Sequence, residues 1–302
     1  MENKSIKQKR ILGFGLGLYL ILMNLVMIGY QLVVEKFGII NDSNSQLISY
    51  IGNAISVYVV GIVTLKLLFR KMEKVVPEEK SDFKFGKILY LIMITIGLGI
   101  GCALVTNIVK SLIEQLLGLS IGNRVADAMQ KSSPVMMIFF LAILAPVCEE
   151  VIFRGIILSR LRAYGDKTAI IYTAVLFGLF HANFVQIPMA IAAGLVFGYA
   201  FVKTNKLRYP IILHIAMNLT SSILTICMQY NQMVIAGLIS MVEMGFALAT
   251  VISLPIILSS PKHKLNISNE TKYDRKKLYF NIGYIFSVII VVLITVLAII
   301  GG

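Results

Sequence analysis

"MMIFFLAILAPVCEEVIFRG", residues 136–155, is the stretch whose reading decides the fold. Its first thirteen residues carry no charge and are apolar enough to lie in lipid. Two adjacent carboxylates, Glu149 and Glu150, then follow, with Arg154 one turn further on. An ionisable group in the middle of a membrane helix costs about 2.5–3.5 kcal/mol on insertion scales, so such groups pair with one another or mark a functional site. Neighbouring residues on a helix point about 100° apart, so the two glutamates face different ways. Glu150 and Arg154 are four apart with the acid N-terminal, the better order for an ion pair. Glu149 is then left over, and one arginine does not satisfy two buried carboxylates.

The rest of the chain has the same character. Its 302 residues are 58% hydrophobic and 14% charged, with a mean hydropathy of +0.85. Soluble domains average about 25% charged residues. The expected fold is all-α, a polytopic transmembrane helical bundle of about eight or nine helices. Apolar runs mark candidate crossings at 11–34, 47–69, 88–109, 135–158, 168–182, 187–202, 210–230, 233–258 and 278–300. The fifth and sixth are short and joined only by "NFVQ", so they can form a tight hairpin that does not fully cross. Three regions are expected: N-terminal transmembrane helices over 1–134, a helical core over 135–226 that holds the membrane-embedded polar groups, and C-terminal transmembrane helices over 227–302 with a basic loop.

The net charge is +13 and the pI about 9.6. In a soluble chain this would point to nucleic acid, but no nucleic-acid motif is present. The positive residues instead alternate between loops. Basic clusters occur at Lys4–Arg10, Arg70–Lys74, Arg160–Lys167, Lys203–Arg208 and Lys262–Lys277, and the intervening loops are poor in them. This pattern predicts a cell-membrane protein with a cytoplasmic N-terminus, and with nine crossings an external "IIGG" end. The basic N-terminal stretch reads as a retained signal anchor. Loops 70–87 and 259–277 read as solvated, and His263 in the second has no expected catalytic role. Cys102, Cys148 and Cys227 lie in apolar runs without metal-site spacing and read as free thiols. Gly97 and Gly101 have the spacing of close helix packing.

Two further polar groups lie in the membrane downstream of the glutamates. In "LFGLFHANF", His181 lies one turn after Phe177 on the same face. In "YPIILHIAMNL", His214 and Asn218 are four apart and point the same way, on a helix that starts near Pro210. Singly, each reads as interhelical hydrogen bonding. Jointly they supply the parts for peptide hydrolysis. A buried carboxylate can take a proton from water, an imidazole can hold that water or a metal, and an amide with a second imidazole can donate to an oxyanion. Two His and one Glu are also the ligand set of some catalytic zinc sites, although the HExxH spacing is absent.

"EEVIFR", "FGLFH" and "HIAMN" resemble, in order, the EExxxR, FxxxH and HxxxN motifs of the CPBP family. This family comprises the type II CAAX prenyl endopeptidases and bacteriocin-processing (Abi) proteins, and the likeness covers about residues 135–226. The resemblance implies an intramembrane endopeptidase, a hydrolase of glutamate or metallo type, with a cavity open to the cytosol and a membrane-associated peptide or protein as substrate. The candidate catalytic residues are Glu149, Glu150, His181, His214 and Asn218, supported by Arg154 and Phe177. By motif position Glu149 activates water with His181 holding it, and His214 and Asn218 stabilise the oxyanion. The cofactor is either none or one divalent metal, zinc, held by Glu149, His181 and His214, with Glu150 then the next candidate for general base. The opposing reading is a non-catalytic membrane scaffold or bacteriocin self-immunity protein. The Lys-, Ile- and Asn-rich composition points to a bacterial source. Counting from the predicted cytosolic helix ends puts His181 about 20 Å deep and His214 about 6 Å deep, at 1.5 Å per residue. For them to meet, Tyr209-Pro210 must start below the surface or the helices must be offset.

Overall fold

A backbone in lipid finds no water to bond to, so its N–H and C=O groups must be satisfied within the segment, which a helix does. A computed structural model of the chain describes residues 2–41, 44–75, 82–118 and 120–259, together with Ile289. Every regular element among them is helical. In chain order these are α1 (Glu2–Lys36), α2 (Ser45–Phe69), α3 (Phe85–Leu117), α4 (Arg124–Lys131), α5 (Pro134–Tyr164), α6 (Asp166–Phe180), α7 (Gln186–Thr204), α8 (Arg208–Gln229) and α9 (Met233–Ser259). Seven of these nine, all but α4 and α6, are long and apolar enough to cross a membrane, which makes the chain a multi-pass membrane protein. The expected crossing at 278–300 and the loop carrying His263 lie outside the described residues.

The hairpin read from the fifth and sixth segments is present, and its first arm, α6, does not fully cross. α6 has 15 residues, about 22 Å at 1.5 Å per residue, short of a full span. It forms a hairpin with the full-length α7. Small residues let the two helices touch. A Cβ added at Gly178 would meet the Ile187 carbonyl oxygen at 2.8 Å, and one at Gly194 would meet Ala174 Cα at 3.0 Å. α3 packs across α7, α8 and α9. Gly97 there lies against Phe246 and Thr250 of α9, whereas Gly101 has open space beside it, so only one of that expected pair serves packing.

α4 was not expected. Eight residues with two basic ends read as loop, but Asn123 caps it by accepting from the Ala126 N–H. Its Val125 and Met129, four apart, face inward. α5 is the central helix, packed against α2, α6, α7 and α8. It is wound with π turns over Met137–Leu144 and Val151–Leu158, on either side of an α turn, Ala145–Glu150. π turns often mark functional sites. Large apolar side chains such as Phe14, Leu116, Val234 and Val251 point outward, as a lipid-facing surface requires. The polar groups are turned inward, around α5.

Candidate active site

The α turn of α5 sends its two glutamates in opposite directions. Glu150 and Arg154 are both 0% exposed and joined by a 2.9 Å bond from Arg154 Nη1 to Glu150 Oε1. The second Arg154 amino group donates to the Gly194 carbonyl at 3.1 Å. The guanidinium also lies over the faces of Phe177 and Phe197, 4.7 and 5.2 Å from their centroids. Burial of a charge is tolerated only with such partners. Phe177 thus packs against Arg154 and, near-perpendicular, against both imidazoles.

Glu149 faces the other way, into a cavity of about 400 Å³. Glu149, His181, His214 and Asn218 all line it. Glu150 and Arg154 do not; they stand behind it. Glu150 reaches the cavity through His214, whose Nδ1 lies 2.9 Å from Glu150 Oε1. A carboxylate there accepts only, so Nδ1 is protonated and Nε2 is the nitrogen left for the cavity. That Nε2 lies 3.8 Å from Glu149 Oε2. The His214 ring is stacked on Phe197 at 4.9 Å, which fixes its plane.

His181 caps the C-terminus of α6. Its Nδ1 lies 2.8 Å from the Phe177 carbonyl oxygen, so again Nδ1 carries the proton and Nε2 keeps its lone pair. Ala182 follows in the left-handed region, with φ +46°, and turns the chain away at once. A non-glycine residue held there stores strain of the kind found beside functional groups.

Asn218 is held by a different device. Where α5 is π-wound, the Ala145 N–H bonds to Phe140, one residue further back than in an α-helix. The next donor in that register, toward Leu141, would come from residue 146, which is proline and has none. The Leu141 carbonyl is thereby freed, and Asn218 Nδ2 donates to it at 2.9 Å. The amide orientation follows, with one N–H spent on Leu141 and one left.

At the start of α8, Arg208 is exposed and the next two residues are buried. Tyr209 is 4% exposed, covered by Phe83, whose N–H donates to the Tyr209 hydroxyl at 3.0 Å. Beyond this constellation, Tyr58 of α2 was not legible as a site residue. Its hydroxyl donates to Glu149 Oε1 at 3.2 Å. Gln186 and Ser222 also line the cavity without having been singled out by any motif.

Among the described residues no three His, Cys, Asp or Glu side chains are disposed to hold a metal ion, and Glu149, His181 and His214 do not form such a cluster. The three cysteines are free, with Cys227 buried.

Residues 131–220 match the family model described as "Type II CAAX prenyl endopeptidase Rce1-like". The "Membrane-embedded CAAX protease MroQ" of Staphylococcus aureus is 34% identical over 88 residues, 27% of this chain and 36% of that protein. The Bacillus subtilis protein YdiL, which carries a membrane-peptidase name, is 32% identical over 87 residues, 28% of this chain and 34% of its own. The match thus spans about a third of the length of these two relatives. A Mycoplasma capricolum protein without a functional name is 27% identical over 232 residues, 72% of this chain and 67% of its own. No solved structure matches. The site-lining motif residues Glu149, Phe177, His181, His214 and Asn218 all fall within the matched stretch, so the resemblance read from the three ordered motifs holds there: residues 131–220 are similar to the family described as type II CAAX prenyl endopeptidase Rce1-like.

Proposed function

We propose that the chain is an intramembrane endopeptidase of the glutamate type, acting on a membrane-associated peptide or protein. The observation that supports this best is the convergence, in one cavity, of a carboxylate, two imidazoles each with Nδ1 already bound, and an amide with one spare donor. In this reading Glu149 removes a proton from water as its oxygen attacks the scissile carbonyl carbon. His181 Nε2, a lone pair, accepts the water's other hydrogen and orients it. The carbonyl oxygen becomes an oxyanion and takes a hydrogen bond from the free Asn218 N–H. His214 contributes a second donor when Nε2 also carries a proton, a cation that Glu150 stabilises from behind. Glu149 then passes its proton to the departing nitrogen, the C–N bond breaks, and a carboxylic acid and an amine leave.

A CAAX-type tail, processed on the cytosolic side of the cell membrane, is the substrate class we propose from the family match. The cavity walls are mostly apolar, with Met23, Ile152, Phe180, Met189 and Met217 among them, and suit a lipid-associated peptide. The test is purified protein with a fluorogenic CAAX-like peptide library. Glu149→Gln and His181→Ala are expected to lose at least about a hundredfold in kcat, the scale of a lost acid–base group, at unchanged thermal stability. Undiminished turnover in both variants would refute the proposal.

A further inference from the structure

We infer that Tyr58, outside the family-matched stretch, is a positioning residue for the general base. This rests on the reading of Glu149 given above. Tyr58 sits in a π-wound segment of α2, Ala54–Val59, and lines the cavity. Its O–H donates to Glu149 Oε1 at 3.2 Å. The backbone beside it is itself pinned, because the Tyr19 hydroxyl of α1 donates to the Val57 carbonyl at 3.0 Å. The Tyr19 ring fits there only because residue 61 is glycine; a Cβ would lie 2.8 Å from the ring. Tyr19 also stacks on Phe180, the neighbour of His181, at 5.5 Å. The first two helices thus supply one direct hydrogen bond to Glu149, from Tyr58, and Tyr19 fixes the backbone beside it.

The consequence concerns the two carboxylate oxygens. Oε1 is occupied by Tyr58, and Oε2 lies on the His214 side, 3.8 Å from Nε2. Oε2 is then the atom that receives the proton from water. The Tyr58 bond thus holds the carboxylate with Oε2 toward the His214 side of the cavity. The titratable groups that line the cavity with Glu149 are Tyr19 from α1, Tyr58 from α2, His181 from the end of α6 and His214 from α8, while Glu150 and Arg154 stand behind it. Of these, Tyr58 makes the direct bond.

The experiment is the steady-state kinetics of full-length Tyr58→Phe beside Glu149→Gln, in detergent or liposomes, with the cleaved peptide found above. Loss of one hydrogen bond is expected to lower kcat about tenfold with KM nearly unchanged. 4-Fluorophenylalanine at position 58 keeps the shape of the side chain and removes the donor, so it is expected to show the same fall, which a packing defect alone would not produce. If Glu149→Gln is inactive while both Tyr58 variants have wild-type kcat, the inference is wrong and the base assignment stands. If Glu149→Gln remains active, the base assignment itself is wrong and takes Tyr58 with it. Should Tyr58→Phe not accumulate, the 4-fluorophenylalanine protein alone decides, and wild-type kcat there overturns the inference.

Discussion

Asn218 Nδ2 and the Leu141 carbonyl oxygen stand 2.9 Å apart, and that bond exists because the residue five positions after Leu141 is a proline. The carbonyl of a π turn looks for the N–H five residues on, and Pro146 has none. An amide on a separate helix fills the place. One backbone defect in α5 thereby sets the direction of a candidate oxyanion donor on α8.

Pro146→Ala restores the missing donor. Its N–H competes for Leu141, and the Asn218 amide loses its anchor. One net hydrogen bond is worth about 1 kcal/mol, so we expect kcat to fall about five- to tenfold, in a protein at least as heat-stable as the parent. Peptide turnover and a thermal melt on the same preparation check this. Unchanged kcat would show that Asn218 is oriented by something else.

Arg154 gives a prediction about folding rather than catalysis. It is fully buried, paired with Glu150 and set over two aromatic faces. Removing one partner of a buried pair costs about 3–5 kcal/mol. Arg154→Ala is therefore expected to deplete folded protein from membranes, and Arg154→Lys to rescue it poorly, because an ammonium lacks the planar fork. Quantitative immunoblotting and detergent melts read this directly. Full expression of the alanine variant would contradict the pairing.

The motifs in the sequence spoke for the matched helices and said little about the rest. Glu149, Glu150 and Arg154 were legible because charge in an apolar run is costly, and helical spacing separated one acid from the other. His214 and Asn218 were legible because a four-residue spacing puts them on one face. Leu141 was not, since a carbonyl has no letter in the sequence and its freedom depends on how α5 winds. Tyr58 was not, because a lone tyrosine in an apolar run carries no pattern. α4 was missed for a third reason: an eight-residue amphipathic helix has too little apolar length to register as a crossing, although Asn123 before it was a readable cap.

A third prediction concerns the strip ahead of α3. Asp82 bonds Lys206 and the Tyr209 hydroxyl, each at 2.6 Å, and pairs with Arg208. The Lys206 bond, then the Tyr209 bond, hold its carboxyl well below the usual carboxylate range. A depressed folded value means the contribution is complete at neutral pH and is lost as pH falls below that range. Asp82 is exposed and the attraction is screened, so the effect is local. Asp82→Asn is expected to speed proteolytic nicking near residues 82–84 at pH 7, and high salt to do the same to the parent. Equal nicking rates at low salt would show that the contact does not hold the strip.

The last prediction concerns metal. The candidate zinc set was Glu149, His181 and His214, and these side chains are not clustered as ligands. Both imidazoles keep Nε2 unbound, and what is lacking is a common point for the three side chains. Glu149 accepts from Tyr58, and His214 is turned by Glu150 so that its Nε2 stands 3.8 Å from Glu149. A structural or catalytic zinc needs its ligands about 2.0–2.2 Å from one point, with their outer atoms braced to hold that geometry. On the carboxylate route proposed above, activity depends on Glu149 ionising, and not on an ion. We expect purified protein to contain zinc well below one equivalent, and chelation followed by desalting to leave turnover within about twofold, less than 0.5 kcal/mol of barrier. Elemental analysis with turnover before and after zinc return checks both halves. Stoichiometric zinc, with activity lost on its removal and recovered on its return, would reassign Glu149, His181 and His214 as ligands. Glu150, now behind His214, would then have to move into the cavity to serve as base, and a structure of the loaded protein would have to show that movement.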